Sequence, residues 1–343
     1  MTATRRSRTR RWRRKARRAL TGGNLAVAAA VVAAGLAVVA VVTPASTPSA
    51  QAGQQLEATK DLEAGRTDRA GRSASVSARP DTADRPIYVA LGDSFAAGPG
   101  IPDRRGVPAG PFAGPCERSS DNYPHLLARR LHLDLTDVSC TGARAIDLIQ
   151  ESTPSGAHVP PQLDAVGPDT DLITVSLGGN DPEYLNRLFR SCVAIAVSDP
   201  LGAPCRSRFG ALVAQTAAVQ LSRLRPTLVA AYREIQRRAP GARIVVVGYA
   251  PYFDGEDRCS ARIPLATGDF AFVAEQYARV ITEVRLAATD AGVDFVDPAA
   301  LLGAHDICSA DPWVNGRAGY GAEPYHPFAT AHEAIARLVA ATL

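Results

Sequence analysis

Four residues of this chain combine types and settings that suit the transfer of an acyl group to water. Ser94 lies between an acid and several very small residues in VALGDSFAAG, and His326 lies in EPYHP near the C-terminus. Gly142 lies in SCTGA and Asn180 in VSLGGND. A serine hydroxyl becomes a nucleophile when a histidine takes its proton, and amide N–H groups stabilise the oxyanion that then forms. The four residues are therefore candidates for a serine hydrolase site.

Each of these residues also has an ordinary structural interpretation when it is taken alone. Serine often caps a helix, and glycine and asparagine often form turns. A lone histidine is more often structural than catalytic. The catalytic interpretation depends on the positions of all four residues relative to the predicted helices and strands.

The stretches around these residues alternate between strand-like and helix-like patterns. Predicted strands cover residues 87–91, 133–138, 171–177, 243–248 and 293–296, and predicted helices cover residues 122–131, 206–238, 270–291 and 327–342. This alternation predicts an α/β fold with a parallel sheet and right-handed crossovers. Function gathers at the carboxyl ends of such strands, which is where Ser94, Gly142 and Asn180 fall. We expect one catalytic domain over residues 86–343.

The N-terminal part of the chain is predicted to lie outside this domain. Residues 1–22 are rich in arginine, an apolar run of 18 residues follows over 25–42, and Ala52 ends a small-x-small site. This pattern predicts a secretory signal peptide, residues 1–52, and hence a secreted protein. An uncleaved membrane anchor is an alternative, and a nucleic-acid-binding arm is a weaker one. Residues 53–85 lack an apolar period, which predicts a disordered linker.

Removal of the leader reverses the net charge. The whole chain has 38 Lys+Arg and 34 Asp+Glu, and residues 1–52 hold ten of the basic residues and none of the acidic ones. The mature chain is therefore 28 − 34 = −6. This acidic balance removes the main support for a nucleic-acid partner.

All six cysteines lie beyond the leader, and an even number in an exported chain favours disulfides. Six cysteines allow fifteen pairings. The sequential pairing is favoured because each loop it closes is local: Cys116 with Cys140, Cys192 with Cys205, and Cys259 with Cys308. No CxxC and no zinc-ligand spacing occurs, so no metal site is predicted. A disulfide-bonded monomer is the default expectation.

The four motifs together resemble those of the SGNH hydrolases, also called the GDSL esterase/lipase family. They are VALGDSFAAG (89–98), SCTGA (139–143), VSLGGND (175–181) and EPYHP (323–327). The resemblance spans nearly all of residues 87–343, and its disulfide-containing, secreted actinobacterial branch looks nearest. It implies a five-stranded parallel sheet in a flavodoxin-like, three-layer α/β/α sandwich that needs no metal or cofactor.

The resemblance also implies a role for each motif residue. Ser94 is then the nucleophile, and His326 is the general base that later protonates the leaving alcohol. The backbone N–H groups of Ser94 and Gly142 and the side-chain amide of Asn180 form the oxyanion hole. Asp93 is expected to brace the turn rather than to react.

This chain departs from the family pattern at one position. The family usually has aspartate three residues before the histidine, where this chain has Glu323. We expect Glu323 to orient His326, and a backbone carbonyl is the alternative, which leaves a Ser–His dyad. Asp311 and Asp297 are expected to serve loop or strand-end structure, and His332 is expected to be a packing or surface residue.

The sequence points to an ester substrate without naming it. The small and apolar residues after the nucleophile predict a mildly apolar groove, and residues 103–121 are expected to form a loop that shapes the acyl site; the groove residues are Ala96, Ala97, Pro99, Ile101 and Pro102. We expect a lipase or esterase acting on lipid or other small ester substrates with fatty-acyl or short-chain acyl groups, phospholipids among them. A carbohydrate acetylesterase of the same fold is the alternative.

Two other classes of protein fit the sequence less well. An inactive surface binding module of this fold would most simply have lost Ser94, Asn180 or His326, and all three are present. An oxidoreductase built on a doubly wound sheet would need GxGxxG after a strand, and the first strand runs into Gly92-Asp93-Ser94 instead.

Overall fold

The structure, a computed structural model, describes residues 85–102, 114–249, 251–255, 259–317 and 321–343. The predicted signal peptide, the alternative membrane anchor and nearly all of the predicted linker lie outside the described residues, and so does part of the loop predicted over 103–121. The boundaries expected for those segments stay predictions.

Five parallel strands form one sheet in the order β2-β1-β3-β4-β5. They are β1 Ile87–Gly92, β2 Asp134–Asp137, β3 Leu172–Ser176, β4 Arg243–Val247 and β5 Asp294–Val296. Strand β3 is buried along its whole length, and β1 and β4 are buried after their first residue, as strands covered on both faces should be. Strand β2 lies at the edge and alternates between exposed and half-buried residues. The predicted α/β fold with a five-stranded parallel sheet is confirmed.

Helices cover the two faces of this sheet. They are α1 Ser94–Ala97, α2 Tyr123–Leu131, α3 Glu183–Ile195, α4 Pro204–Arg238, α5 Phe270–Ala291, α6 Ala299–Leu302 and α7 Ala329–Thr342. The strand order runs one way from β1 to β2 and the other way from β3 to β5, so right-handed crossovers place the connecting helices on opposite faces. Helix α2 packs against α7, and α4 packs against α3 and α5. The order reverses between β1 and β3, which opens a crevice at their carboxyl ends.

Helix α3 has no counterpart among the predicted helices. Its start follows Asn180, Asp181 and Pro182, residues that normally indicate a loop. Its buried residues nevertheless share one face at helical spacing: Tyr184, Leu185, Leu188 and Cys192. Among the helices of the described residues, none is both long and apolar enough to cross a membrane.

The three disulfides follow the sequential pairing predicted from the sequence. Cys116–Cys140 ties the segment before α2 to the end of β2, beside Gly142. Cys192–Cys205 joins α3 to α4, and Cys259–Cys308 joins the segment after β4 to the segment after α6. All three bonds therefore lie in segments at or near the carboxyl edge of the sheet.

Candidate active site

Strand β1 ends in a tight turn that places Ser94 at the carboxyl edge of the sheet. Asp93, rather than Ser94, caps helix α1, because its Oδ1 accepts a hydrogen bond from the Phe95 backbone N–H at 2.9 Å. Ser94 is therefore the first residue of α1. Asp93 braces the turn, as expected from the sequence. A Cβ at Gly92 would lie 2.6 Å from that of Ala96, so the turn needs glycine at this position.

A buried glutamine holds the end of β1 from the other side. The Gln162 side chain accepts from the Gly92 N–H at 2.8 Å and donates to the Gly92 carbonyl at 2.9 Å. The carbonyl also accepts from the Cys140 N–H at 2.9 Å. Because both backbone groups of Gly92 are bonded, the residue before the turn is fixed on each side.

His326 lies next to Ser94. Its Nε2 is 2.8 Å from the Ser94 Oγ, and its Nδ1 is 2.9 Å from the Pro324 carbonyl oxygen. A carbonyl only accepts hydrogen bonds, so Nδ1 carries the proton and Nε2 of the neutral ring is free to accept from the serine. Burial lowers the pKa of His326, opposed by the Pro324 carbonyl and the Glu323 charge. The ring is therefore neutral at neutral pH.

The partner expected for His326 was the Glu323 carboxylate, and the structure corrects this expectation. The Pro324 carbonyl occupies Nδ1 instead. The physical reason is the loop's geometry: the His326 N–H donates to the Glu323 carbonyl, and this turn brings the backbone of Pro324 under the ring. Glu323 acts on the histidine through its charge. The arrangement is the dyad that the sequence left as the alternative.

Asn315 organises the loop that carries the histidine. Its backbone N–H donates to the His326 carbonyl at 2.9 Å, and its side-chain Nδ2 donates to the Ala322 carbonyl at 2.7 Å. Its own carbonyl accepts from the Tyr325 N–H at 3.1 Å. Tyr325 has a φ of 63°, a left-handed conformation that non-glycine residues seldom adopt. The buried asparagine stabilises this unusual turn beside His326.

Ser94, Gly142 and Asn180 line the same cavity, and each has an amide group with an N–H bond left to donate. Within the part of the chain that the structure describes, the backbone N–H groups of Ser94 and Gly142 donate to no protein acceptor. The Asn180 Nδ2 donates to the Ala143 carbonyl at 3.1 Å, which uses one of its two N–H bonds. The Ala145 N–H donates to the Asp181 carboxylate at 3.1 Å. These two bonds hold the Gly142 loop against the Asn180 loop.

A second buried network links three strand ends behind the serine. The Tyr249 hydroxyl, just after β4, donates to the Asp93 Oδ2 at 2.5 Å and accepts from the Gly179 N–H at 2.9 Å. Burial raises the pKa of Asp93 to about 7, and the Tyr249 hydrogen bond opposes that rise. The network connects the residue before Ser94 to the residue before Asn180.

The serine opens into a cavity of about 390 Å³ whose walls are largely aromatic and aliphatic. Besides the residues described above, its lining includes Phe95, Leu185, Asn186, Phe189, Arg190, Tyr252, Tyr277, Val280, Ile281 and Tyr325. The prediction that the residues after Ser94 form the wall of the substrate groove is wrong. Ala96 and Ala97 are buried because α1 turns them towards the interior, Ile101 beyond α1 is buried as well, and none of the three lines this cavity.

Other sequence expectations have clear places in the structure. Asp297 accepts from the Ala299 N–H at the start of α6, and Asp311 accepts from the Trp313 indole, so both serve local structure as predicted. His332 packs in the core, where its Nδ1 accepts from the Tyr123 N–H at 3.0 Å. Burial lowers its pKa to about 3, so this ring stays neutral.

Three of the residues that hold the site were not identified from the sequence. Tyr249 follows a strand rich in β-branched residues, in RIVVVGY. Ser94 and Asn180 were identified because they follow strands, and the same reasoning could have identified Tyr249. Gln162 begins a single 3₁₀ turn, Gln162–Ala165, and Asn315 lies in a loop, and no sequence spacing signals the contacts of either residue. Phe189 and Arg190 were missed together with helix α3.

Comparison with known proteins places this geometry in a family. The family model described as "GDSL-like Lipase/Acylhydrolase family" matches residues 90–334. Lipase 2 of Streptomyces coelicolor is 34% identical over 282 residues, which covers 80% of this chain and 90% of that protein. A lipase of Streptomyces rimosus is 30% identical over 264 residues, with 76% of this chain and 86% of that protein covered.

Two solved structures share the fold at useful similarity. The extracellular lipase of Streptomyces rimosus aligns with a TM-score of 0.60 and 25% identity over 75% of this chain and all (100%) of that one. Phospholipase A1 of Streptomyces albidoflavus NA297 aligns with a TM-score of 0.61 and 25% identity over 76% of this chain and 100% of that one. With its three disulfides, the chain resembles these actinobacterial relatives, as predicted. The chain belongs to the GDSL-like lipase/acylhydrolase family and is a carboxylic ester hydrolase.

Proposed function

We propose that this protein is a secreted serine esterase or lipase that hydrolyses carboxylic esters through an acyl-enzyme on Ser94. The observation that carries the proposal is the 2.8 Å contact between the Ser94 Oγ and the unprotonated Nε2 of His326. This distance is within hydrogen-bond reach, as transfer of the serine proton to the base requires. The lowered pKa of His326 keeps the base unprotonated at neutral pH.

In the first half of the reaction, the Ser94 oxygen attacks the acyl carbonyl carbon while its proton passes to the His326 Nε2. The carbonyl oxygen becomes an oxyanion, which the N–H groups of Ser94, Gly142 and Asn180 stabilise. The leaving alcohol departs with the proton that His326 returns. In the second half, water is the nucleophile: its proton passes to the His326 Nε2 as its oxygen attacks the acyl carbon. The bond between the acyl carbon and the Ser94 Oγ then breaks, His326 returns the proton to the serine, and the acid is freed.

The Pro324 carbonyl supports this chemistry through the other ring nitrogen. It holds the proton on Nδ1 and fixes the plane of the ring. As Nε2 gains a proton, the imidazolium is stabilised by this carbonyl dipole and by the nearby negative charge of Glu323. We propose that Ser94 and His326 act as a dyad, with Glu323 as an electrostatic contributor.

The cavity favours an acyl group with several carbons. Its wall contains Phe95, Phe189, Ile281 and the rings of Tyr252 and Tyr277, and this apolar surface exceeds the polar surface supplied by groups such as Asn186 and Arg190. A fatty-acyl ester therefore suits the cavity better than an acetylated polysaccharide. The proposal of secretion is supported by the disulfides, by the leader-like N-terminus and by the extracellular lipase among the similar structures.

The test compares the protein with its Ser94→Ala variant on p-nitrophenyl esters from acetyl to palmitoyl. We expect hydrolysis by the parent, with rates that rise from acetyl towards longer acyl chains, and a loss of at least about 10⁴-fold in the variant. A fluorophosphonate probe should label the parent on Ser94, as shown by mass spectrometry of the labelled peptide. Ser207→Ala, at an exposed serine of α4, is the matched control and should leave the rates unchanged.

Two results would overturn the proposal. One is full activity in Ser94→Ala, which would remove the nucleophile. The other is a folded, oxidised parent that hydrolyses none of the esters, which would revive the binding-module interpretation. Activity confined to the acetyl ester would favour the acetylesterase alternative.

A further inference from the structure

The hairpin formed by α3 and α4 exposes large apolar side chains. Val197 is 82% exposed and Leu201 83% exposed, both in the tip between the two helices, and Leu212 on α4 is 62% exposed. We call Val197, Leu201 and Leu212 the hairpin patch. Single exposed apolar residues are ordinary, whereas several in one short segment indicate an interaction surface.

The tip is held rigidly, so its apolar side chains cannot fold inward. The Cys192–Cys205 disulfide closes the base of the tip. The buried Asp269 carboxylate accepts from the Cys205 N–H at 2.9 Å and from the next N–H at 2.8 Å. Backbone N–H groups before α5 donate to the carbonyls of Pro200 and Gly202 at 2.9 and 2.8 Å. These bonds anchor the backbone from which Val197 and Leu201 project.

Positive charge surrounds the hairpin patch. From the start of α3 to Leu212, residues 183–212 contain four arginines, one glutamate and one aspartate, a net charge of 4 − 2 = +2, whereas the mature chain is predicted to be −6. Arg190, Arg206 and Arg208 are exposed, and none of them has a carboxylate partner within the described ranges. The hairpin is thus a basic and apolar region on an acidic protein.

The same hairpin forms part of the wall of the active-site cavity. Leu185, Phe189 and Arg190 of α3 line the cavity. The Phe189 ring packs edge-on against that of Tyr325, next to His326, with centroids 4.8 Å apart. Val197 follows Arg190 by two helical turns, roughly 10 Å along the helix. A surface that met the patch would therefore lie close to the cavity.

We propose that the hairpin patch docks this protein on the surface of an anionic phospholipid bilayer. The apolar side chains enter the interfacial region, and the arginines contact lipid phosphates, a combination of forces that binds proteins to membrane surfaces. This inference rests on the proposed function, because it makes lipid esters in a membrane the substrate. Docking places Phe189 and the cavity next to the acyl chains.

The test measures binding and hydrolysis separately. Binding is measured by vesicle sedimentation in the Ser94→Ala background, with vesicles of phosphatidylglycerol or of phosphatidylcholine. We expect tighter binding to phosphatidylglycerol. The double change Val197→Ser with Leu201→Ser should weaken it at least about tenfold, because it removes the two most exposed apolar side chains that enter the interfacial region. Leu343→Ser is the matched control, because Leu343 is 41% exposed beside the amino end of β4, away from the cavity.

A second pair of changes tests the charge contribution. Arg206→Ser with Arg208→Ser should remove most of the preference for phosphatidylglycerol and should reduce the salt dependence of binding. Binding to phosphatidylcholine should change little. If this variant prefers phosphatidylglycerol as strongly as the parent does, the proposed contact of Arg206 and Arg208 with lipid phosphates is contradicted.

Hydrolysis of a soluble ester distinguishes failure of docking from failure of the proposed function. In the catalytically intact protein, Val197→Ser with Leu201→Ser should hydrolyse p-nitrophenyl butyrate at the parent's rate and vesicle lipids far more slowly. The docking proposal is overturned if the parent binds no vesicles or if the double variant binds as the parent does. A parent without ester hydrolysis would instead overturn the proposed function, while vesicle binding could still be measured.

Discussion

The histidine of this site is oriented by a neutral group. A carboxylate at Nδ1 would fix the ring and also neutralise the imidazolium, whereas the Pro324 carbonyl fixes the ring with a dipole alone. Glu323 supplies charge from the side, and its effect is to raise the pKa of His326 against the lowering caused by burial. Orientation and charge stabilisation are therefore separated between two residues.

This separation predicts a mild phenotype for Glu323→Gln. We expect kcat/KM on a soluble ester to fall less than about tenfold, against roughly 10⁴-fold when a triad carboxylate is neutralised. In the proposed mechanism the neutral ring is the active form, so we expect activity to be lost as pH falls through the His326 pKa, which lies below its ordinary value. Removal of the Glu323 charge should move this acid limb to still lower pH. The measurement is kcat/KM against pH.

The control for this prediction is Glu333→Gln, at an exposed glutamate of α7 that pairs with Arg337. It should leave both the rate and the acid limb in place. A loss near 10⁴-fold in Glu323→Gln would show that the carboxylate reaches the ring during the reaction.

At the scale of the elements, the site is made by the carboxyl ends of neighbouring strands. Ser94 follows β1, Gly142 follows β2 and Asn180 follows β3, with the reversal of strand order between β1 and β3 opening the crevice. Tyr249 after β4 joins this set from behind, because its hydroxyl bonds Asp93 and Gly179 together. The spacing between Ser94 and the proposed oxyanion donors thus depends on bonds between elements.

We expect Tyr249→Phe to lower kcat by at least about tenfold while KM changes little. The substitution leaves the Gly179 N–H and the Asp93 carboxylate buried without this partner, so the Ser94 and Asn180 turns can separate. Steady-state kinetics on a soluble ester give kcat and KM, and thermal unfolding shows whether the fold is retained. Tyr252→Phe, which removes a hydroxyl from the same cavity wall, is the matched control and should keep the parent's kcat. An equal loss in both variants would contradict a specific role for Tyr249.

At the scale of the whole molecule, disulfides restrain the segments that surround the active edge. The paired cysteines are 24 residues apart in Cys116–Cys140, 13 in Cys192–Cys205 and 49 in Cys259–Cys308. In the chain-entropy description, a longer closed loop removes more freedom from the unfolded chain, so its disulfide stabilises more. The Cys259–Cys308 bond should therefore contribute most among the three.

Replacing Cys259 and Cys308 by serine should lower the free energy of unfolding by about 4 kcal/mol. For a domain of this size, that corresponds to a fall in Tm of roughly 8–16 °C. Calorimetry at one scan rate compares this variant with the matched pair Cys192→Ser and Cys205→Ser. The second pair should cost about 3 kcal/mol, because it closes the shorter loop. A reversed order would show that native-state packing, rather than loop entropy, sets the contribution.

The sequence by itself determined the fold class and the candidate residues Ser94, Gly142, Asn180 and His326, and it favoured the sequential disulfide pairing that the structure has. These depend on local patterns: alternating strands and helices, glycine turns at strand ends, and cysteines that close short loops. The pairing of His326 depends instead on how one loop folds, which is why the sequence favoured Glu323 and the structure has the Pro324 carbonyl. The sequence alone could not decide between two neighbouring acceptors, the carboxylate of Glu323 and the backbone carbonyl of Pro324.

Only the tertiary structure decided which distant side chains hold the site. Gln162 meets Gly92 across 70 positions of sequence, and Tyr249 meets Asp93 across 156. No periodic pattern in the sequence signals such contacts, because strand order and crossover handedness bring these residues together. Helix α3 belongs to the same class: its start resembles a loop, and burial against α4 makes it a helix that lines the cavity and carries the hairpin patch.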